Sequence, residues 1–458
     1  MSCSRKHGHR SAWLVLLPLL AFAAACSGSI ADPRPAQQSA ATAWIAASAH
    51  PLVSTSPGAS DADLSSLAAI VGTARLVGLG EATHGSHEFF TVKHRVFQYL
   101  VEHLGFTGFA IEATMPESFA VDTYVRTGKG DAAALLSHLH FWTWDTQEVL
   151  DLILWMRSYN AGRPASQQIG FYGFDMQYPE VAIDSVASYL ARVSPATAQT
   201  VAADYACLAP YRNTPGGALG ADYTQAGASI HTACESGIAD VRTQLTASQA
   251  TLERASSAGE FALALQMARV VEQWEQMKTG ARLRDQSMAE NVDWLLRREP
   301  AGGKLFLWAH DGHIARATPG TSFATMGAYI AQQYGASYRP IGFAFGSGSL
   351  NAVRQALGTG GAFVSTGSGV VPMVAPAPIA DSYEATLASA LPQSYLIDLR
   401  TAPAGDAQAW ASGPAPMRQI GAVYVPEHPE LFFSPHSLSA EFDALIFIPA
   451  VTATRLLR

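Results

Sequence analysis

The sequence predicts an α/β fold, with a mostly parallel, buried sheet flanked by helices. Short apolar runs bounded by turn residues recur along the chain, and they are too uniformly apolar for a half-exposed sheet. Helical patterns separate many of these runs, as expected for parallel strands joined by crossover helices. The predicted strands are 74–80, 107–113, 169–175, 304–310, 339–346, 394–400 and 444–449.

Two of the predicted helices carry clear end signals. In residues 87–105, Phe89, Phe97 and Leu100 fall on one stripe at helical spacing, and Gly105 is suited to end the helix. In residues 145–162, Asp145 or Thr146 can cap the start and Gly162 follows the end. We therefore expect both segments to cover the sheet.

The middle of the chain has a different character. Residues 181–291 are rich in Ala, Gln and Glu and predict a mainly helical insertion between strands. Residues 350–378 are rich in Gly, Ser and Pro and predict loops or short strands. Cys207 and Cys234 both lie in the insertion, and in an exported protein such a pair predicts a structural disulfide.

The first 25 residues predict a signal peptide. A basic start precedes an apolar run from Ala12 to Ala25, which is too short to span a bilayer. Small residues followed by Cys26 resemble a bacterial lipoprotein signal, whose cysteine is lipidated, although Ala23 replaces the usual Leu and leaves ordinary secretion open. Residues 26–42 then predict a flexible tether, and residues 43–458 the main domain. The expected location is a bacterial membrane, with the domain facing the periplasm or the cell exterior.

Charge excludes one class of partner. The formal net charge is −8, and no basic cluster follows a path that could track a phosphate backbone. Nucleic acid is therefore not an expected partner, and the oligomeric state is not indicated by the sequence.

Ionisable residues are scarce, yet four predicted strands end in them. In open α/β sheets, ligands bind beyond the carboxyl ends of the strands. Lys93 lies within the apolar stripe of the first helix, where it must meet a carboxylate such as Glu81 or Glu112, or else extend its head to solvent. The strand-end candidates are Glu81, His84, Glu112, Asp175, His310 and His313.

These residue types favour activation of water over a covalent nucleophile. The sequence contains no G-x-S-x-G, and Thr91 breaks the H-E-x-x-H pattern that begins at His87. A histidine can accept the proton of a water while a carboxylate orients the ring, and a second histidine or a lysine can stabilise the oxyanion. Alternatively, His84, Glu112 and His310 could hold a divalent metal that activates the water. No cofactor is required by the first mechanism, and the sequence leaves both open.

Several segments, taken in order, resemble the erythromycin esterase family. They are GEATHGSHEFF, LGFTGFAIEA, FWTWDTQEVLDLILWMRSYN, IGFYGFDMQ, RDQSMAENVDWLL and LWAHDGHIAR, and the similarity runs from residue 74 to 449. The resemblance implies hydrolysis of a macrolide lactone by activated water, and hence a role in antibiotic resistance.

The resemblance also assigns roles to individual residues. It implies that His84 is the general base, with Glu81 and Glu112 as its carboxylate companions. It places the family's histidine pair on His310 and His313 and an arginine on Arg284. This chain has Lys93 where macrolide-resistance members carry Arg, and Asp311 where Asn is usual.

The main hypothesis is therefore an exported hydrolase of small-molecule carboxylic esters or macrolide-like lactones. Two other classes remain open at this stage. The same residues could hold a metal or haem without turnover in an envelope binding lipoprotein. The chain could also be a scaffold in envelope polysaccharide biosynthesis.

Overall fold

The computed structural model describes residues 34–212, 221–317 and 324–457. The expected signal peptide and Cys26 lie outside these ranges. The strands of the described residues are β1 (His50–Pro51), β2 (Leu76–Leu79), β3 (Gly108–Thr114), β4 (Gly170–Asp175), β5 (Leu305–Trp308), β6 (Tyr338–Leu357), β7 (Phe363–Ala375), β8 (Tyr395–Asp398), β9 (Ala415–Arg418), β10 (Val423–Tyr424), β11 (Phe433–His436) and β12 (Ala444–Val451).

Helices account for most of the remaining ordered backbone. Within the described ranges the α-helices are α1 (Arg34–Ser48), α2 (Leu67–Val71), α3 (His87–Leu104), α4 (Met115–Thr127), α5 (Ala132–Ser137), α6 (Gln147–Asn160), α7 (Glu180–Val193), α8 (Pro195–Asp204), α9 (Ala221–Thr224), α10 (Ala228–Ala247), α11 (Gln249–Ala255), α12 (Ala258–Lys278), α13 (Arg284–Arg298), α14 (Asp311–Ile314), α15 (Met326–Tyr334), α16 (Tyr383–Ala390), α17 (Asp406–Ser412) and α18 (Leu438–Glu441). None of these helices is both long and apolar enough to cross a membrane.

One mixed sheet forms the centre of the molecule, in the order β1-β8-β12-β6-β2-β5-β3-β4. Neighbouring strands from β12 to β4 run parallel, whereas β8 and β1 are antiparallel at one edge. Strands β2, β3, β4 and β5 are buried along their whole length, because helices cover both faces. The predicted mostly parallel α/β sheet is confirmed.

The two faces of the sheet belong to two hydrophobic clusters. Along β5, Leu305 and Leu307 contribute to one cluster, and Phe306 and Trp308 contribute to the other. The first cluster also includes the helices between β4 and β5, and the second includes α3 and α6. Alternate side chains of a strand point to opposite faces, so the continuous apolar runs of the sequence follow directly from this double coverage.

The ends of α3 and α6 follow the sequence signals. The side chain of Ser86 accepts a hydrogen bond from the backbone N–H of Phe89, and Gly105 ends α3 in the left-handed conformation at φ 68°. Thr146, one of the two predicted caps of α6, accepts a hydrogen bond from the N–H of Val149. These caps fix where α3 and α6 begin beside the strand ends.

The insertion predicted for 181–291 is helical in the described residues, from α7 to α13. Its two cysteines, Cys207 and Cys234, form a disulfide with a Cα–Cα distance of 5.5 Å. This separation is usual for disulfides.

Two predictions about irregular segments need correction. The predicted tether of residues 26–42 overlaps α1, whose Ala41, Trp44 and Ile45 are buried against α16 and α17. Residues 350–378, predicted as loops or short strands, instead hold the end of β6 and all of β7, which pair as a long antiparallel hairpin. Much of β7 is exposed. Its small polar residues therefore pair with β6 in a two-stranded ladder that buries no face of its own in the core.

Candidate active site

The order of strands in the sheet brings the predicted site residues to one edge. Strands β2, β5, β3 and β4 are consecutive neighbours in the sheet, although they are far apart in the chain. Their carboxyl ends therefore open onto the same cleft. The residues that the strands deliver there are Glu81 and His84 after β2, His310 and His313 after β5, Glu112 in β3 and Asp175 at the end of β4.

Glu81 is buried and accepts hydrogen bonds from three side chains. Its Oε1 lies 2.6 Å from Nδ1 of His84. Its Oε2 lies 2.5 Å from Nζ of Lys93 and 2.8 Å from Nε1 of Trp308. Because a carboxylate can only accept, Nδ1 of His84 carries a proton, and Nε2 is left as the nitrogen that can act as a base.

Lys93 is the cation that balances Glu81. Its side chain is fully buried, and its ammonium lies 4.4 Å from the ring centroid of Trp308. Burial lowers the pKa of Lys93 to about 8, against the attraction of Glu81. The sequence left Glu81 and Glu112 as alternative partners, and the lysine pairs with Glu81.

Glu112 forms the second centre of the cleft, with Arg284 and His313. Nη2 of Arg284 donates to Oε1 of Glu112 and to Oδ2 of Asp175, each at 2.7 Å. Nε2 of His313 lies 3.2 Å from Oε1 of Glu112, and Nδ1 lies 3.0 Å from Oδ2 of Asp285. A guanidinium thus joins the end of β3 to the end of β4.

The charges of this cluster shift each other's protonation. Burial alone would raise the pKa of Glu112, but the charges of His313 and Arg284 hold it well below its usual range. Burial alone would lower the pKa of His313, but Glu112 and Asp285 outweigh burial and raise it to about 10. His313 is therefore a cation at neutral pH and a poor base.

His310 differs from His313 in its protonation state. Burial and the neighbouring His84 and His313 lower the pKa of His310 well below its ordinary value, so the ring is neutral. Its Nδ1 accepts from the N–H of Gly312 at 3.2 Å, which places the proton on Nε2. Among the described residues, no atom hydrogen-bonds to that buried Nε2. A neutral N–H donor is thus available 5.2 Å, ring to ring, from His84.

Asp311 lies behind the cleft. Its carboxyl accepts from the N–H of Phe343 at 3.1 Å and is buried against Gly80, where a Cβ would lie 1.8 Å from Oδ1. Burial raises the pKa of Asp311 to about 8. The carboxyl is therefore mostly protonated at neutral pH. In that state it is uncharged, like the Asn that is usual at this position in the family.

The cleft has a volume of about 360 Å³. Sequence reasoning missed several residues that shape it. Trp308 is part of an apolar run, and Trp144 is a sequence candidate for the wall of an apolar pocket. Thr143 and Asp285 lie in segments that carry the family resemblance, which assigns them no role, and Gly421 and Ala422 carry no sequence signal of a site. The lining residues are His84, Glu112, Phe141, Thr143, Trp144, Gln177, Arg284, His310, His313, Gly421 and Ala422.

The suggested metal ligands His84, Glu112 and His310 do not form a ready coordination set. Oε1 of Glu112 already accepts from Arg284, and Oε2 accepts from the backbone N–H of His310 at 3.0 Å. In the described part of the chain, the set of His and acidic ligand atoms lying within 4.8 Å of one another is Asp61, Glu102 and His103, on the surface. The cleft geometry therefore fits proton transfer and anion stabilisation better than metal coordination.

Several solved structures of other proteins have a fold similar to that of this chain. A Bacillus cereus protein of known crystal structure is 28% identical, with a TM-score of 0.78 over 92% of this chain and 99% of that one. A protein described as a succinoglycan biosynthesis protein is 25% identical, with a TM-score of 0.77 over 92% and 98%. A variant of erythromycin esterase EreC in its open conformation is 20% identical and has the same fold, with a TM-score of 0.64 over 86% and 94%.

Curated relatives match shorter parts of the chain. Erythromycin esterase type II of Escherichia coli is 32% identical over 117 residues, which span 25% of this chain and 26% of the relative. YbfO of Bacillus subtilis, provisionally named a hydrolase, is 25% identical over 66% of this chain and 69% of its own.

The family model described as erythromycin esterase matches residues 101–451, more than three quarters of the sequence. Glu112, Asp175, Arg284, His310 and His313 all lie within this match. Glu81, His84 and Lys93 precede it, and the structure brings them to the same cleft. The chain belongs to the erythromycin esterase family.

Proposed function

We propose that the protein is a hydrolase that cleaves carboxylic esters or lactones with a water activated by His84. The observation that carries the proposal is the bond between Nδ1 of His84 and Glu81, opposite the neutral ring of His310. A base with a fixed tautomer and an N–H donor on a neighbouring ring are the two groups that ester hydrolysis by water needs.

His84 Nε2 takes a proton from water as the water oxygen bonds to the ester carbonyl carbon. The carbonyl π electrons move to oxygen and form a tetrahedral oxyanion. When the bond from carbon to the alkoxy oxygen breaks, the imidazolium returns the proton to the leaving alkoxide. Glu81 stabilises the imidazolium between these steps, as an acidic partner does for a general-base histidine.

Two groups are suited to the oxyanion. The Nε2–H of His310 is a neutral donor without a partner among the described residues. Arg284 brings a fixed positive charge to the same cleft, and the carboxylates of Asp175 and Glu112 outweigh burial and keep it protonated. Donors that need no rearrangement stabilise developing charge most effectively.

For the substrate we propose a macrolide-like lactone or another small-molecule ester. Membership of the erythromycin esterase family and the likeness to the Escherichia coli enzyme support this class. We further propose export to the periplasm or cell exterior as a lipid-anchored protein. The N-terminal sequence supports this location, and so does the Cys207–Cys234 disulfide, since disulfides persist in oxidising compartments.

The decisive experiment follows loss of intact erythromycin by mass spectrometry and release of p-nitrophenol from p-nitrophenyl acetate. Wild type, His84→Ala and the exposed-histidine control His428→Ala are compared, each with and without chelator. We expect turnover by wild type and His428→Ala that His84→Ala lacks. Turnover that persists in His84→Ala would overturn the proposal, and turnover abolished by chelator would replace the histidine base with a metal-bound water.

A further inference from the structure

A single loop, residues 140–145 between α5 and α6, forms a wall of two adjacent cavities. On one side, Phe141, Thr143 and Trp144 line the cleft that holds His84 and His310. On the other side, Phe141 and Trp142 line a second cavity of about 370 Å³. Phe141 borders both cavities. A substrate that extends from the cleft past this ring would therefore reach the second cavity.

The loop is held in place at both ends. His140 has a positive φ of 69°, which is uncommon for a residue with a side chain. Its ring stacks on Tyr178 at 4.2 Å between centroids, and its Nε2 lies 3.3 Å from the buried Glu117. Backbone strain of this kind persists only where the surroundings enforce it, and it is concentrated at functional sites.

The other end of the loop is tied to the sheet and to the C-terminal segment. Nε1 of Trp144 donates to the carbonyl of Glu112 at 2.9 Å, and the N–H of Leu457 donates to the carbonyl of Asp145 at 3.0 Å. The wall is therefore fixed relative to the catalytic residues. A fixed wall can position a substrate, whereas a mobile one would have to be ordered on binding.

The second cavity has the chemistry of a ligand site. Its apolar surface comes from three separate parts of the chain: Trp142 in the loop, Val370 in β7 and Leu456 near the C-terminus. Ser137, His140 and Asp145 add polar atoms at the edge. Small-molecule sites typically combine such apolar walls with a few polar groups, at volumes of roughly 300–1,000 Å³.

We propose that the second cavity is a substrate subsite, which takes a bulky, apolar, ring-sized group attached to the ester that lies in the cleft. The inference rests on the proposed hydrolase function and adds a size preference to it. An ester with only small substituents fills the cleft alone, whereas a larger one also contacts Trp142, Val370 and Leu456. Those contacts raise kcat/KM for the larger ester only.

The test compares kcat/KM within two pairs of esters. p-Nitrophenyl acetate against p-nitrophenyl 3-cyclohexylpropanoate adds bulk on the acyl side, and phenyl acetate against 4-cyclohexylphenyl acetate adds it on the alcohol side. The variants are Trp142→Ala and Val370→Gln. Val374→Gln is the matched control, because Val374 lies on the same strand and is 67% exposed.

We expect wild type and Val374→Gln to prefer the bulky ester of at least one pair, by roughly tenfold. Trp142→Ala and Val370→Gln should lose most of that preference while they keep wild-type rates on the small ester. Small esters hydrolysed with no preference in either pair, or a preference that both variants retain, would overturn the subsite and leave the hydrolase intact. If wild type hydrolyses none of the four esters, the hydrolase proposal fails and the subsite fails with it.

Discussion

Nζ of Lys93 and Oε2 of Glu81 lie 2.5 Å apart, and both side chains are shielded from solvent. Lys93 binds Oε2 of Glu81, and His84 binds Oε1, the other oxygen of the same carboxylate. A buried ion pair adds little net stability, but the loss of one partner leaves the other charge uncompensated in a medium of low polarity. The pair therefore links the stability of the protein to the state of its general base.

Lys93→Met should lower the free energy of unfolding by about 3–5 kcal/mol, because Glu81 would remain as an uncompensated buried charge. The double variant Lys93→Met/Glu81→Gln removes both charges and should recover most of this loss, although it should not recover turnover. Urea unfolding followed by circular dichroism measures the free energy of unfolding of both variants. Equal stability of wild type and Lys93→Met would contradict the structural role of the pair.

Arg284→Met should destabilise the protein by about 3 kcal/mol, the lower end of the range for a buried pair, since a quarter of the Arg284 side chain is exposed. Its loss should also raise the pKa of Glu112, which the charges of His313 and Arg284 hold low. Since ionised Glu112 accepts from the backbone N–H of His310, the oxyanion donor, its protonation should disturb the site, and the acid limb of the pH–rate profile should move to higher pH. Arg284→Lys should recover part of both effects, because a point charge cannot bridge Glu112 and Asp175 as a guanidinium does. An unmoved acid limb in Arg284→Met would show that Glu112 does not set it.

Asp311→Asn should change how stability depends on pH. The pKa of Asp311 is raised to about 8 by burial, so between pH 4 and 8 the folded protein binds a proton that the unfolded chain has lost. Wild type therefore loses stability relative to Asp311→Asn as pH rises through this window, by at most about 1.4 kcal/mol per pH unit. Parallel unfolding curves at pH 5 and 7.5 measure the difference. A stability gap that stays constant with pH would show that Asp311 does not titrate in this range.

Cys207→Ala/Cys234→Ala should destabilise the helical insertion by roughly 3.5 kcal/mol, because the disulfide closes a loop with a sequence separation of 27. The cleft lies beyond the strand ends, so ester turnover at low temperature should remain near wild type. Proteolysis of the region from α8 to α12, with and without reductant, reports the local loss. Unchanged protease resistance would argue that packing, rather than the cross-link, holds this region.

Much of this architecture follows from local sequence. Each predicted strand from 74–80 to 444–449 overlaps an observed strand, because a strand buried on both faces must be apolar throughout. Ligands of open α/β sheets bind beyond the carboxyl ends of the strands, and this rule alone predicted that Glu81, Glu112 and His310 meet at one edge, without any knowledge of the strand order.

Other features depend on tertiary context that no local pattern encodes. Gly421 and Ala422 line the cleft only because the chain returns beside β6, where the N–H of Val353 donates to the carbonyl of Ala422. The helix α1 buries only Ala41, Trp44 and Ile45, too few for a clear amphipathic pattern. His313 is a cation because Glu112 and Asp285 outweigh its burial, whereas burial and the neighbouring His84 and His313 keep His310 neutral, and no local pattern shows these contacts.

The position of β5 between β2 and β3 also has a consequence for the order of folding. During synthesis, β2 and β3 leave the ribosome first, but each lacks its inner neighbour until the helical insertion and residues 305–308 have followed. The facing edges of β2 and β3 are exposed to the wrong partners for that period, and exposed edges promote aggregation. The same late strand carries His310 and His313 into place beside Glu112. The nascent chain thus cannot assemble its reactive groups until β5 has paired with both of these edges.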